Sequence, residues 1–163
     1  MTDAANVARA LLERLVSLGW TVAVAESLTG GLVTASLVSI PGASAALRGG
    51  IVAYATELKR ELLHVDAALL AAEGAVHPEV ARQMAAGVRI AATVDGVPAD
   101  MGIATTGVAG PTEQDGRAVG TVCIAVVTPR GTLVEELSLS GEREAIRAEA
   151  ARKALELALR AAG

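Results

Sequence analysis

Short apolar runs alternating with helical periodicity constrain this chain more than any other feature. Residues 21–25, 49–54, 100–105, 120–128 and 132–138 are apolar stretches of strand length bounded by Gly, Pro or polar clusters. Between them, apolar residues recur at helical spacing. Val7, Leu11, Leu15 and Leu18 mark the first helix, with Asp3 near its start and Gly19 as its stop. Further helices are expected over 30–38, 56–64, 67–72 and 78–93, with Pro78 in a first turn, and from about Glu142 nearly to the C-terminus. The short link Pro129-Arg130-Gly131 forces its two flanking strands antiparallel. The expected fold is α/β, a three-layer α/β/α sandwich. Its sheet should be mixed and mostly parallel, with about five strands including one antiparallel hairpin. Residues 1–163 read as one domain with no linker and no internal repeat.

Composition then limits function. The hydrophobic share is 52%, yet Phe is absent and Trp20 and Tyr54 are the only aromatics, so the core must be Ala, Val, Leu and Ile. Any aromatic ligand contact has to come from one of those two rings. A net charge of −4 argues against a general nucleic-acid binder but not against a small anionic ligand. Cys123 is alone in a strand-like run and reads as a small buried hydrophobe. His64 and His77 have no metal-ligand spacing, and His77, just before Pro78, reads as structural; neither a metal nor a cofactor is expected. The start of the chain, Met1-Thr2-Asp3-Ala4, lacks the order of a signal peptide, and no apolar run approaches the roughly 20 residues of a membrane span. A soluble, cytoplasmic protein is the expectation. An Ala-rich chain with long amphipathic helices also suggests a homodimer.

Four elements could carry chemistry. The first is Glu26-Ser27-Leu28-Thr29-Gly30-Gly31, where a buried strand breaks into a helix. In open α/β sheets ligands bind beyond the carboxyl ends of strands. Ser27 would be a nucleophile there, beside unsatisfied N–H groups of Thr29, Gly30 and Gly31 suited to an oxyanion or phosphate. The alternative is a plain tight turn. The second is the helix over 56–64. On a helical wheel Lys59 falls among Leu58, Leu62 and Leu63, whereas Glu57, Arg60 and Glu61 take the other side. An ammonium on an apolar face loses basicity and can become the general base for a serine. The alternative is a lysine whose head snorkels to water. Thr56 and Lys59 also have the nucleophile-to-lysine spacing of penicillin-recognising enzymes, although Thr56 reads better as a helix N-cap.

The third element is Thr106-Gly107-Val108-Ala109-Gly110-Pro111, a second glycine-rich loop after a buried strand, either facing the same cleft or simply turning the chain. The fourth is the start of the last helix. Ile146, Ala150, Ala154, Leu157 and Ala158 form its buried stripe, and Arg143 and Arg147 fall within it. They would either grip a phosphate or pair with acids such as Glu26 or Glu57.

Taken in order, Ala25-Glu26-Ser27-Leu28-Thr29-Gly30-Gly31, Pro41-Gly42-Ala43-Ser44, Gly50-Ile51-Val52-Ala53-Tyr54, Gly74-Ala75-Val76, the 106–111 loop, Val119-Gly120-Thr121-Val122 and Ser140-Gly141-Glu142-Arg143-Glu144-Ala145-Ile146-Arg147 resemble the CinA C-terminal domain family over nearly the whole chain. The resemblance implies the α/β/α fold and a stand-alone nicotinamide-nucleotide amidase. Such an enzyme converts nicotinamide mononucleotide to nicotinic acid mononucleotide and ammonia in pyridine nucleotide salvage. It implies Ser27 as nucleophile and Lys59 as its base, with Tyr54 beside them. Three positions depart from the family. Its Tyr-Ser-Asn-Glu-x-Lys is here Tyr54-Ala55-Thr56-Glu57-Leu58-Lys59, so a side-chain amide is missing. The cysteine after its serine is Leu28, and its glycine-rich loop with Lys-Pro is Thr112-Glu113-Gln114-Asp115-Gly116-Arg117-Ala118.

The expected mechanism is a metal-free Ser27/Lys59 amidohydrolase, with Tyr54 as a third catalytic residue that orients Lys59 or relays a proton. Oxyanion donors come from Thr29 to Gly31 or from Thr106, Gly107, Ala109 and Gly110. Arg143 and Arg147 hold the 5′-phosphate, and Glu26 or Tyr54 meets the cationic ring. The alternatives are a catalytically silent nucleotide-binding module of the same family and a structural domain serving a partner in competence or DNA repair.

Overall fold

The computed structural model describes residues 3–163. Met1 and Thr2, which entered the reading of the amino terminus, lie outside the described residues. The elements run α1 (Asp3–Leu18), β1 (Val22–Glu26), α2 (Leu32–Val38), a 3₁₀ turn (Ala43–Ala45), β2 (Leu47–Val52), α3 (Thr56–Leu63), α4 (Ala67–Glu73), α5 (Pro78–Ala91), β3 (Met101–Gly107), β4 (Thr121–Thr128), β5 (Gly131–Ser138) and α6 (Arg143–Ala162). They build the α/β/α sandwich around a five-stranded sheet of order β2-β1-β3-β4-β5. β1 pairs parallel with β2 and β3, while β3–β4 and β4–β5 pair antiparallel. Parallel strands therefore dominate by direction, with β4 alone reversed, but the ladders divide evenly between the two kinds.

Strand alternation gives the sheet two unequal faces. Val22, Val24, Met101, Ile103, Ile124 and Val126 point into a core shared with α1, α2 and α6. Ala23, Ala25, Ala104, Cys123 and Ala125 point the other way, toward α5 and Leu63 of α3. Bulk on one side and near-bare backbone on the other is how a chain without Phe fills two layers. The small face lets α5 sit close: a Cβ at Gly102 would stand 1.9 Å from the Ala85 carbonyl oxygen. α5 in turn accepts α3 at short range, since a Cβ at Gly87 would stand 1.8 Å from the carbonyl oxygen of Leu63. This tight stack brings α3 over the ends of β1 and β2.

Some local expectations change. α2 starts at Leu32 rather than Gly30, because Gly30 and Gly31 are left-handed, at φ 58° and 101°. Thr56 is not the N-cap of α3 but its first helical residue; the cap position is Ala55, and no side chain bonds there. The wheel of α3 is also narrower than expected. Lys59 and Leu63 are buried, whereas Leu58 and Leu62 are exposed, because α3 has a helix neighbour on one side only. His77 has the structural role expected of it, its Nδ1 accepting from the Glu79 N–H at the start of α5. Among the described residues no helix is long and apolar enough to cross a membrane.

Candidate active site

β1 ends between its two parallel neighbours, at the point where the chain leaves toward β2 on one side and finds β3 on the other. Such a switch point opens a crevice at the strand ends. The ladders continue just past it: Ser27 N–H donates to the Thr105 carbonyl at 3.1 Å, and Ala53 N–H to the Glu26 carbonyl at 2.9 Å. Ser27 is thereby fixed at the floor of a pocket of about 300 Å³, the lower end of the ~300–1,000 Å³ usual for small-molecule sites. Tyr54, Lys59, Thr106, Gly107, Ala109, Gly110 and Arg143 also line it.

Lys59 is the most unusual group in the molecule, an amine only 1% exposed. Its Nζ lies 3.1 Å from Ser27 Oγ, 2.8 Å from the Ala53 carbonyl and 3.3 Å from the Tyr54 carbonyl. Burial lowers its pKa to about 8, a fall that the nearby Glu57 carboxylate partly opposes. Two carbonyl acceptors can take both hydrogens of the neutral amine, which turns its lone pair toward Ser27. Protonated, the same nitrogen gives its third hydrogen to Ser27. The site thus accommodates either state without moving.

At the rim Arg143 donates to the Gly110 carbonyl at 2.6 Å and to the Tyr54 hydroxyl at 3.2 Å. It ties the chain after β2 to the loop after β3, and neither partner is an acid. Tyr54 is 61% exposed and its hydroxyl bonds Arg143, so Lys59 meets the main chain of Tyr54 and not the phenol expected to orient it or relay its proton.

Five expected site residues lie elsewhere. Glu26 is fully buried behind Ser27. Its carboxylate accepts from the Thr29 hydroxyl, the Val33 and Thr34 N–H groups and the Thr34 hydroxyl, at 2.7 to 3.0 Å. The anion-binding end of α2 is filled by the chain's own carboxylate, so neither Glu26 nor the turn of Gly30 and Gly31 faces the pocket. Thr29 is buried in the same network, its hydroxyl 2.8 Å from that of Thr105. Arg147 does not line the pocket either; it bonds the Leu28 and Thr29 carbonyls at 2.8 and 3.2 Å. The pairing of Arg147 with Glu26, the alternative to phosphate, does not occur.

Sequence reasoning gave Leu28, Ala75 and Val76 no site role, yet they line the pocket, together with Val108 of the 106–111 loop and Thr112, Glu113 and Gln114 of the 112–118 loop, which was expected to be able to reach a nucleotide. Thr106 reaches one of them, its hydroxyl donating to the Ala75 carbonyl at 2.7 Å. The 112–118 loop folds into a tight hairpin in which Gln114 and Arg117 bridge across Asp115 and Gly116. Asp115 faces Ala75 N–H at 3.5 Å. The turn pair Asp115-Gly116 was the readable signal for that hairpin. Among the described residues, no cluster of three or more His, Cys, Asp or Glu is placed to hold a metal.

Known proteins are similar to this chain in sequence and in fold. A CinA-like protein of Frankia casuarinae is 51% identical over 150 residues, which cover 92% of this chain and 34% of that protein. A CinA-like protein of an Anaeromyxobacter species is 45% identical over 148 residues, 90% of this chain and 35% of the relative. The chain therefore spans about a third of the length of the curated relatives it matches. Among solved structures, the competence/damage inducible protein CihA of Agrobacterium tumefaciens superposes with a TM-score of 0.90 at 34% identity, covering 99% of this chain and 96% of that one. A competence or damage-inducible protein of Enterobacter asburiae gives 0.92 at 29% identity, with both chains covered in full. The family model of the CinA C-terminal domain matches residues 4–162, and the chain belongs to that family.

Proposed function

We propose that this chain hydrolyses the carboxamide of nicotinamide mononucleotide, releasing ammonia and leaving nicotinic acid mononucleotide. The observation that carries the reading is the 3.1 Å contact between Ser27 Oγ and a buried Lys59 held by two carbonyls. Neutral Lys59 takes the hydroxyl proton as Ser27 attacks the carboxamide carbon. The tetrahedral intermediate then collapses, the C–N bond breaks, and Lys59 returns the proton to departing ammonia. Water repeats the sequence on the acyl-serine and leaves the acid. Leu28, Ala109 and Gly110 line the pocket, their amides have no acceptor among the described residues, and those amides are the oxyanion donors of this scheme. Arg143 at the rim is the candidate for the 5′-phosphate, and the exposed ring of Tyr54 for the face of the pyridinium. The choice of substrate rests on the family resemblance; the chemistry rests on the dyad.

Ammonia release from nicotinamide mononucleotide, measured with the purified chain, tests the proposal. Ser27→Ala and Lys59→Ala should each abolish it with unchanged circular dichroism. Full activity in either variant would refute the dyad. Binding of the nucleotide by calorimetry without turnover would favour the silent module instead.

A further inference from the structure

The turn that follows the nucleophile is governed from a helix remote in sequence. The guanidinium of Arg147 spans two successive carbonyls, with Nε on Leu28 at 2.8 Å and the second nitrogen on Thr29 at 3.2 Å. Peptide units are planar and trans, so fixing a carbonyl fixes the N–H on the opposite side of the same plane. Holding the Thr29 carbonyl toward α6 turns the Gly30 N–H the other way, and that N–H donates to the Ser27 carbonyl at 3.1 Å. Pinning the Ser27 carbonyl in turn sets the direction of the Leu28 N–H, which shares its peptide plane. That amide has no acceptor among the described residues, and Leu28 lines the pocket. Space beneath the clamp is tight: a Cβ at Gly30 would stand 3.1 Å from the Arg147 guanidinium, at a φ of +58° that favours glycine in any case.

We propose that Arg147 is a positioning residue, which aims the Leu28 N–H at the developing oxyanion through this relay of peptide planes. The proposal rests on the acyl-transfer reading above and assigns Arg147 to that step in place of phosphate binding. A planar fork is needed to hold two carbonyls at once, which a lysine ammonium does not reproduce.

Arg147→Met and Arg147→Lys should be compared with the wild-type chain on nicotinamide mononucleotide and on its phosphate-free nucleoside. A misaimed oxyanion donor should lower kcat about 10- to 100-fold, equally for both substrates, with KM changed less than about twofold. The pH midpoint of the rate should not move, since Lys59 is untouched. A rise in KM confined to the phosphorylated substrate, or an unchanged kcat, would overturn the proposal. If Arg147→Met fails to fold by circular dichroism, the lysine variant carries the same comparison. Should the wild-type chain release no ammonia from either substrate, the amidase reading falls. Covalent labelling of Ser27 by a fluorophosphonate then decides the positioning role: slower labelling of the variants supports it, and equal labelling overturns it.

Discussion

The role proposed for Lys59 has a signature in the pH dependence of the rate, because a buried lysine must lose its proton before it can accept one. With a pKa of about 8, roughly a tenth of Lys59 is neutral at pH 7 and roughly nine-tenths at pH 9. The kcat/KM for ammonia release should therefore rise about tenfold across those two pH units and level off near pH 9. A lysine in water, with a pKa of about 10.4, would instead give a rise of nearly 100-fold over the same interval and no plateau. The two cases differ in shape as well as size, so the assay does not depend on absolute rates. Steady-state ammonia release from pH 6 to pH 10, with substrate held well below KM, supplies the curve. Glu57→Gln refines the test, because the Glu57 carboxylate opposes the effect of burial. Its removal should shift the midpoint to lower pH without changing the plateau. A rate still climbing at pH 9.5, or a midpoint that moves up in Glu57→Gln, would refute the reasoning.

Burial of Lys59 also weakens the fold at neutral pH. Its folded pKa lies below the unfolded one, so the destabilising contribution is complete below about pH 8 and fades as the pH rises toward about 10.4. Between those limits, urea denaturation should show the wild-type chain gaining about 3 kcal/mol relative to Lys59→Met. Glu26→Ala strands the N–H groups of Val33 and Thr34 and should cost about 3–5 kcal/mol by the same measurement, with Glu26→Gln costing less. Gly87→Ala forces α5 off the Leu63 carbonyl and should cost about 3 kcal/mol, with a loss of activity as α3 carries Lys59 outward.

The fold was legible because strands and helices here differ in period, and because the 129–131 link is too short for a crossover. Ser27 and Lys59 were legible for separate reasons, the first from its place at a strand end and the second from a charge on an apolar helix face. The breadth of that face was overread: Leu58 and Leu62 share the sector of Lys59 but emerge at the side of α3 that has no neighbour. The anion site at Gly30 and Gly31 was misplaced for a different reason. A helix end that binds a ligand and one that binds the chain's own carboxylate have the same local sequence. Only the fold shows that Glu26 turns back beneath α2 to reach Val33 and Thr34. Arg147 shared the inward stripe with Arg143, yet one turn of helix separates a group at the rim from one behind the turn that follows Ser27. Periodicity gives the direction of a side chain but not its depth.

The loop that roofs the pocket leaves β3 at Gly107 and re-enters the sheet at Thr121, on the antiparallel strand directly beside it. Val108 and Gly120 carry the pairing further: Val108 N–H donates to the Thr121 carbonyl and Gly120 N–H to the Val108 carbonyl. Its two ends are therefore clasped together whatever lies between them. Exchange of segments of other length or composition at 112–118 should therefore leave strand register and the end of β1 that holds Ser27 unaltered. On the proposed function, such an architecture separates recognition from reaction, so that the molecule admitted can be retuned while Ser27 stays where it is.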